Sequence, residues 1–175
     1  MVTATAETHL PFSVEDAWTA LGRRMTYLLI PGVTAGNSTP RGTLHHALDL
    51  PIVDRQEQTA TLTVSRVGKD GRRERRFTLR GPLVTIAGRW RLQPGADGVH
   101  VQLTLEYDVA PGLKTLAVNT LRSRSPLPIR TDADAILSRA VDEFFETRLT
   151  EQAAAYCERL RERLQAVRRH RAHRA

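Results

Sequence analysis

The spacing of apolar residues changes along this chain, and this change limits the possible folds more than any other feature. Between residues 42 and 109 apolar side chains recur at every second position, in segments separated by turn signals such as Gly68-Lys69-Asp70-Gly71. After Pro111-Gly112 they recur at every third or fourth position, and from residue 132 this spacing continues to Val167 over about nine turns. We therefore expect a run of about six antiparallel strands followed by a short helix and one long helix.

The segment before residue 42 predicts one more strand and two short helices. Val2 to Leu10 alternate between apolar or small residues and polar ones, which is typical of a strand. Ser13 precedes a helical pattern with two acidic residues in its first turn, as expected for a helix N-cap. A second short helix is predicted from about Arg23 to Ile30, where Pro31-Gly32 ends it.

These patterns together predict an α+β helix-grip fold, in which a curved antiparallel β-sheet wraps around the long C-terminal helix. The strand from Val99 to Val109 places every second residue, all apolar or aromatic, on one face and polar residues on the other. Such one-sided alternation indicates that the sheet has one covered face and one solvated face. We assign residues 1–167 to one domain and residues 168–175 to a basic C-terminal tail.

Composition narrows the classes of function. The 175 residues carry a formal net charge of +7, but four of the arginines lie in the last eight residues and only 5% of residues are aromatic, so nucleic-acid binding is not predicted. No apolar run approaches the ~18 residues of a membrane span, and the N-terminus does not resemble a secretory signal. The one cysteine, Cys157, fits a reducing compartment. The expectation is a cytoplasmic protein, a monomer or weak dimer, that does not insert into membranes.

Common catalytic and cofactor motifs are absent from the sequence. It contains no Gly-x-Ser-x-Gly elbow, Gly-x-Gly-x-x-Gly loop, phosphate loop or His-Glu-x-x-His pair. His45 and His46 are adjacent in a predicted strand, so their side chains point to opposite faces and cannot chelate one metal ion. We therefore predict neither a cofactor nor a metal site.

A family resemblance appears in two segments, Leu10-Pro-Phe-Ser-Val-Glu-Asp-Ala-Trp-Thr-Ala-Leu21 and Ile30-Pro-Gly-Val33. Together with the order of the elements, they resemble the START-like helix-grip superfamily (SRPBCC), especially its polyketide cyclase/dehydrase and lipid-transport-like branch, over about residues 1–167. The resemblance implies a deep cavity between the sheet and the long helix that accepts hydrophobic ligands. In aromatase/cyclase members this cavity orients a poly-β-ketone chain for aldol ring closure.

Four polar residues share a strand face with apolar neighbours and are therefore expected to point inward. Arg66, His46 and Tyr107 are the candidate catalytic residues, and Arg75 is a fourth inward-facing polar residue. A guanidinium stays charged and presents several donors to a ligand carbonyl or enolate. The alternative is that the two arginines reach water beside the Gly68–Gly71 hairpin, and that His46 and Tyr107 are hydrogen-bonded core residues.

A larger set of residues is predicted to line the ligand cavity because each falls on an inward-facing position of a strand or helix. The set comprises Trp18, Tyr27, Leu62, Val64, Arg75, Phe77, Ile86, Trp90, Leu103, Leu105, Val141 and Phe144. The two tryptophans fit either the cavity wall or the core.

Two functions follow from this pattern and this resemblance. One is an enzyme, an aromatase/cyclase that orients a polycyclic or polyketide-type molecule and assists its cyclisation with general acid-base groups. The other is a carrier, sequestering, lipid-binding or self-resistance protein with the same cavity and no chemistry; some members of the superfamily protect producers of enediyne antibiotics. Convergence of polar groups inside the cavity would distinguish the two.

Overall fold

The computed structural model describes residues 2–22, 29–30, 33–35, 43–47, 55–124 and 133–172, and for some of these residues it describes the backbone only. The strands are β1 (Val2–Leu10), β2 (Val33–Ala35), β3 (Thr43–Ala47), β4 (Arg55–Val67), β5 (Arg73–Arg80), β6 (Val84–Gly95) and β7 (Gly98–Val109). The described helices are α1 (Val14–Leu21), α2 (Pro111–Arg124) and α3 (Ala133–Ala172). The predicted order is confirmed for β1, α1 and the elements from β3 onwards, although the structure describes five strands between residues 42 and 109 where about six are predicted. Strand β2 lies in a segment where no strand is predicted, and the short helix predicted over Arg23 to Ile30 falls mostly outside the described residues.

The seven described strands form one antiparallel sheet in the order β1-β7-β6-β5-β4-β3-β2. The first strand therefore pairs with the last, from Val2 opposite Tyr107 to Leu10 opposite Val99. The long helix α3 packs against β1 and β7 and against both shorter helices. This is the curved sheet gripping a long helix that the sequence predicts.

The covered face of the sheet carries the predicted apolar residues. Buried and more exposed positions alternate along β7, and the inward residues of β5 and β6 are buried in the same way. The face that α3 presents to the sheet repeats at steps of three or four residues. Its buried members are Val141, Phe145, Leu149, Ala153, Tyr156, Cys157, Leu160 and Leu164. The two apolar faces bury each other, which supplies the main driving force for this fold.

Local signals end and connect these elements as expected. The Ser13 hydroxyl accepts a hydrogen bond from the Asp16 amide at 3.0 Å and so caps α1. In the β4–β5 turn Gly71 has a φ of 78°, which favours glycine. No described helix has a stretch apolar and long enough to cross a lipid bilayer.

Three arginines on the C-terminal half of α3 tie the helix to the N-terminal part of the chain. Arg159 donates to the Ile30 carbonyl at 3.4 Å, and Arg161 donates to the Thr8 hydroxyl at 2.9 Å. Arg163 donates to the Ala20 carbonyl at 3.2 Å, in the last turn of α1, where a cation also stabilises the helix dipole. These bonds fix the position of β1 and α1 relative to the long helix.

A β-bulge in β4 reverses the predicted orientation of Arg66. Leu62 lies opposite Phe77, but Val64 lies opposite Arg76, so Thr63 is an extra residue with no partner of its own. Beyond the bulge Ser65 lies opposite the inward-facing Arg75, and Arg66 lies opposite Glu74 on the other face. Arg66 is exposed, so the expectation that it points into the interior is wrong. An extra residue shifts the two-residue period by one, which inverts every later position of the strand.

Candidate functional site

A buried arginine on the covered face of the sheet is the centre of the candidate site. Among the residues whose side chains are described, Arg75 is the one charged residue that is buried, with 5% of its surface exposed. Its guanidinium carbon lies 3.9 Å from the ring centroid of Trp18 in α1, a cation–π arrangement. Its Nε donates to the Ser65 hydroxyl at 3.3 Å. Because Ser65 is exposed and Trp18 half-buried, this guanidinium lies at the boundary between the core and solvent.

A second polar contact lies deeper, between the sheet and α3. The indole Nε1 of Trp90 donates to the Tyr156 hydroxyl at 3.0 Å, and neither residue is exposed. The two rings meet edge to face with centroids 4.5 Å apart, and Phe77 contacts Tyr156 in the same way at 6.4 Å. Burial raises the pKa of the Tyr156 hydroxyl well above its usual value, so the phenol is protonated at neutral pH.

Tyr107 makes the third polar contact of this interface. Its hydroxyl donates to Oε1 of Gln152, one turn before Tyr156 in α3. Burial raises the pKa of Tyr107 well above the usual range, while the nearby charge of Arg148 acts in the opposite direction. Burial also raises the pKa of the Cys157 thiol to about 12, which keeps it in the unreactive protonated form. The described groups at this interface are therefore hydrogen-bond donors at neutral pH.

Most of the predicted lining residues, and the candidate catalytic residue Tyr107, lie on the covered side of the sheet and helix. Those buried there are Arg75, Phe77, Ile86, Trp90, Leu103, Leu105, Tyr107 and Val141, with Trp18 half-buried beside Arg75. Their orientation agrees with the sequence pattern, and their contact with a ligand stays a prediction.

Phe144 is the second residue whose predicted inward orientation is wrong. It is 43% exposed, whereas its neighbour Phe145 is 4% exposed and packs into the core. The buried stripe of α3 runs through Val141, Phe145 and Leu149 at steps of four residues, which excludes Phe144. Two adjacent phenylalanines fit the sequence pattern almost equally well, and contacts with the sheet decide between them.

The remaining candidates are Tyr27, His46, Leu62 and Val64. Tyr27 lies outside the described residues. Val64 lies beyond the bulge and pairs with the exposed Arg76, so its register position is on the solvated face and the predicted inward position is wrong. For His46 and Leu62 the structure describes the backbone only. Their proposed contacts with a ligand therefore stay predictions.

Three residues of the site were not singled out from the sequence as site residues, namely Ser65, Gln152 and Tyr156. Tyr156 carried a usable signal, because a tyrosine on an apolar helix stripe needs a buried partner for its hydroxyl. Ser65 carried none, since only the bulge turns it towards Arg75.

Three of the surface depressions formed by described residues lie away from the Trp90–Tyr156 contact. One of about 630 Å³ lies on the solvated face of the sheet, between Glu7, Arg66 and His100. One of about 780 Å³ lies along the last turns of α3 beside Leu29, and one of about 270 Å³ lies beside Pro11 and Phe12. At the Trp90–Tyr156 contact the sheet and helix pack directly, so the deep ligand cavity stays a prediction. Among the described side chains, no three His, Cys, Asp or Glu residues are grouped to hold a metal ion.

Comparison with solved structures identifies the fold. Similar structures include TTHA0849 from Thermus thermophilus, with 14% identity and a TM-score of 0.53 over 94% of this chain and 98% of that one. A conserved protein from Geobacillus kaustophilus aligns with 12% identity and a TM-score of 0.52, over 94% and 96% of the two chains. The di-domain ARO/CYC StfQ from the steffimycin biosynthetic pathway aligns with 12% identity and a TM-score of 0.58, over 94% of this chain and 51% of StfQ.

These likenesses show that the chain has the fold of these proteins, which is the helix-grip fold that the sequence predicts. Identities this low establish the fold alone, because one fold supports many functions. No family model matches the sequence, and no curated protein matches it either.

Proposed function

We propose that this protein binds a hydrophobic, carbonyl-bearing small molecule against the covered face of the sheet, beside Arg75. The observation that carries the proposal is the burial of this guanidinium among aromatic side chains at the edge of the core. A guanidinium presents several donors in a fixed geometry, and a ligand carbonyl beside it accepts a charge-assisted hydrogen bond. A guanidinium also stays charged at every physiological pH, so it serves as a permanent donor.

The surroundings of Arg75 suit a flat ligand. Trp18 presents an indole face against the guanidinium, and the exposed Ser65 marks an approach from solvent. A ring system can stack on aromatic side chains while its carbonyl accepts from the arginine. The similarity in fold to an aromatase/cyclase of the steffimycin pathway makes a polycyclic aromatic polyketide the first ligand class to test.

The described chemistry favours binding over catalysis. Aldol cyclisation requires a base that removes a proton from carbon. The buried titratable groups described are Arg75, Tyr107, Tyr156 and Cys157, and at neutral pH all of them are protonated. The alternative function is a cyclase, in which His46 is the candidate base.

A paired titration tests the binding proposal. A hydroxyanthraquinone and the carbonyl-free anthracene are titrated into the wild type, and binding is followed through the fluorescence of the two tryptophans, Trp18 and Trp90. Arg75→Met should weaken quinone binding about 10- to 100-fold, the scale of a hydrogen bond to a charged group, and leave anthracene binding unchanged. Arg66→Met, an exposed arginine from the neighbouring strand, should change neither affinity.

Thermal unfolding of each variant shows whether it is folded, and Arg75→Lys provides a second variant that keeps the charge. Equal quinone affinity in the wild type and in folded Arg75→Met would refute the role of Arg75. Incubation with a linear triketone tests the alternative: turnover by the wild type that disappears in His46→Ala would identify a cyclase.

A further inference from the structure

A pair of histidines lies on the solvated face of the sheet, on the opposite side from Arg75. His9 in β1 and His100 in β7 are direct partners in the antiparallel ladder. Directly opposed residues point to the same side of a sheet, with Cβ atoms about 4.5–5.5 Å apart. Both histidines are exposed, and their ring centroids lie 6.5 Å apart with the ring planes tilted by 51°.

We propose that His9 and His100 together form a chelating site for a divalent transition-metal ion such as Cu²⁺, Ni²⁺ or Zn²⁺. Neutral imidazole is a preferred ligand of these ions. Metal–nitrogen bonds of about 2.0–2.1 Å bring the two coordinating nitrogens to within roughly 3–4 Å of each other. Because both rings are exposed, side-chain rotation can bring their nitrogens from the observed separation to this arrangement.

The backbone under the pair is already ordered, which favours chelation. Next to the pair, Leu10 lies opposite Val99, and both side chains are fully buried on the other face. Gly98, with a φ of 147°, packs so closely against the Leu10 carbonyl that a Cβ at this position would overlap it. The two strands therefore hold the histidines in register before any metal binds, and binding orders only two side chains.

The depression beside the pair carries charges of both signs, from Glu7, Asp70 and Glu74 and from Arg66, Arg72, Arg73 and Arg91. Glu7 lies two residues before His9 on the same face of β1, and its carboxylate accepts a hydrogen bond from Gln102 at 2.6 Å. Arg91 lies on the same face of the sheet, and its Nε donates to Glu74 at 3.2 Å. Because both imidazoles are exposed, water would fill the remaining coordination positions of the ion. The bound ion could therefore exchange with ions in solution.

The test uses the full chain without an affinity tag and measures the metal-induced rise in melting temperature with Cu²⁺ and with Ni²⁺. An ion that joins β1 to β7 binds the folded state preferentially and raises the melting temperature by several degrees. His9→Gln and His100→Gln should each abolish this rise, and the double variant should lose no more than either single variant. His170→Gln, an exposed histidine on α3, should keep the full rise.

Equal and non-additive losses are the signature of one ion held by both rings. Without metal the melting temperatures of the single variants should equal that of the wild type, since both histidines are exposed. A rise that survives either single variant, or that disappears in His170→Gln, would overturn the proposal. Absence of any rise in the wild type, or a fall in its melting temperature, would also overturn it.

Discussion

At the centre of the core, the Tyr156 hydroxyl oxygen accepts the hydrogen bond of the Trp90 indole N–H. Each residue is fully buried. A buried donor without an acceptor costs the full desolvation of that group, which exceeds the net gain from an ordinary hydrogen bond. The contact therefore contributes more to the specificity of packing between β6 and α3 than a purely apolar contact would.

Two tyrosine-to-phenylalanine substitutions test this difference. Tyr156→Phe leaves the Trp90 N–H buried without its acceptor and should lower the free energy of unfolding by about 1–3 kcal/mol. Tyr107→Phe removes a bond to the half-buried Gln152, which water can rehydrate, and should cost about 0.5–1.5 kcal/mol. Urea unfolding measures the free energy of unfolding of both variants. Equal losses would show that burial of the hydrogen-bond partner does not determine the size of the loss.

At single residues the sequence predicts side-chain orientation wherever a strand is regular. The alternation places Arg75 and Tyr107 on the covered face correctly, because nothing interrupts β5 or β7. It misplaces Arg66 because a bulge depends on pairing with another strand and leaves no local sequence signal. Ligand contacts are less predictable still, since they depend on several elements at once.

Among the elements, the β5–β6 pair shows how closely the covered face is packed. Gly88 in β6 lies opposite Phe77 in β5, and the Phe77 ring covers the glycine. A Cβ at residue 88 would overlap this ring, which is itself buried against Tyr156. The absence of a side chain at Gly88 therefore leaves the space that the Phe77 ring occupies beside Tyr156.

Gly88→Ala should displace the Phe77 ring and lower the free energy of unfolding by about 1–3 kcal/mol, the usual cost of overpacking a core. Gly112→Ala is the matched control, because no atom lies within 4 Å of its added Cβ and the residue sits in the exposed first turn of α2. The control should be neutral or slightly stabilising, since alanine favours a helix. Denaturant unfolding measures both, and similar stabilities for the two variants would contradict the proposed steric role of Gly88.

On the scale of the whole molecule, the domain boundary assigned from the sequence is testable. The last buried residue of the α3 stripe is Leu164, and residues 165–170 are exposed. Truncation after Val167 should therefore leave the melting temperature within about 1–2 °C of the wild type and leave quinone affinity unchanged. Loss of several degrees, or of ligand affinity, would show that residues 168–175 belong to the domain.

The overall architecture could be read from the sequence because its two hydrophobic periods differ so clearly. Period-two segments predict the strands, and the long helical segment predicts α3. The adjacent pair Phe144 and Phe145, and the depth of the space between sheet and helix, could not be read in this way. The choice between the two phenylalanines and the depth of the space both depend on how the sheet packs against α3. The spacing of apolar residues along the chain carries no information about this packing.

The pairing of β1 with β7 also imposes an order on folding. β1 ends at Leu10, whereas its partner strand begins at Gly98 and the helix that covers it begins at Ala133. At about 5–20 residues per second, a ribosome completes that partner strand only several seconds after β1 has been made. The hairpins β4–β5, β5–β6 and β6–β7 join neighbouring segments and form without waiting. During synthesis we therefore expect β1 to stay unpaired until β7 has been made and to join the sheet after the hairpins have formed.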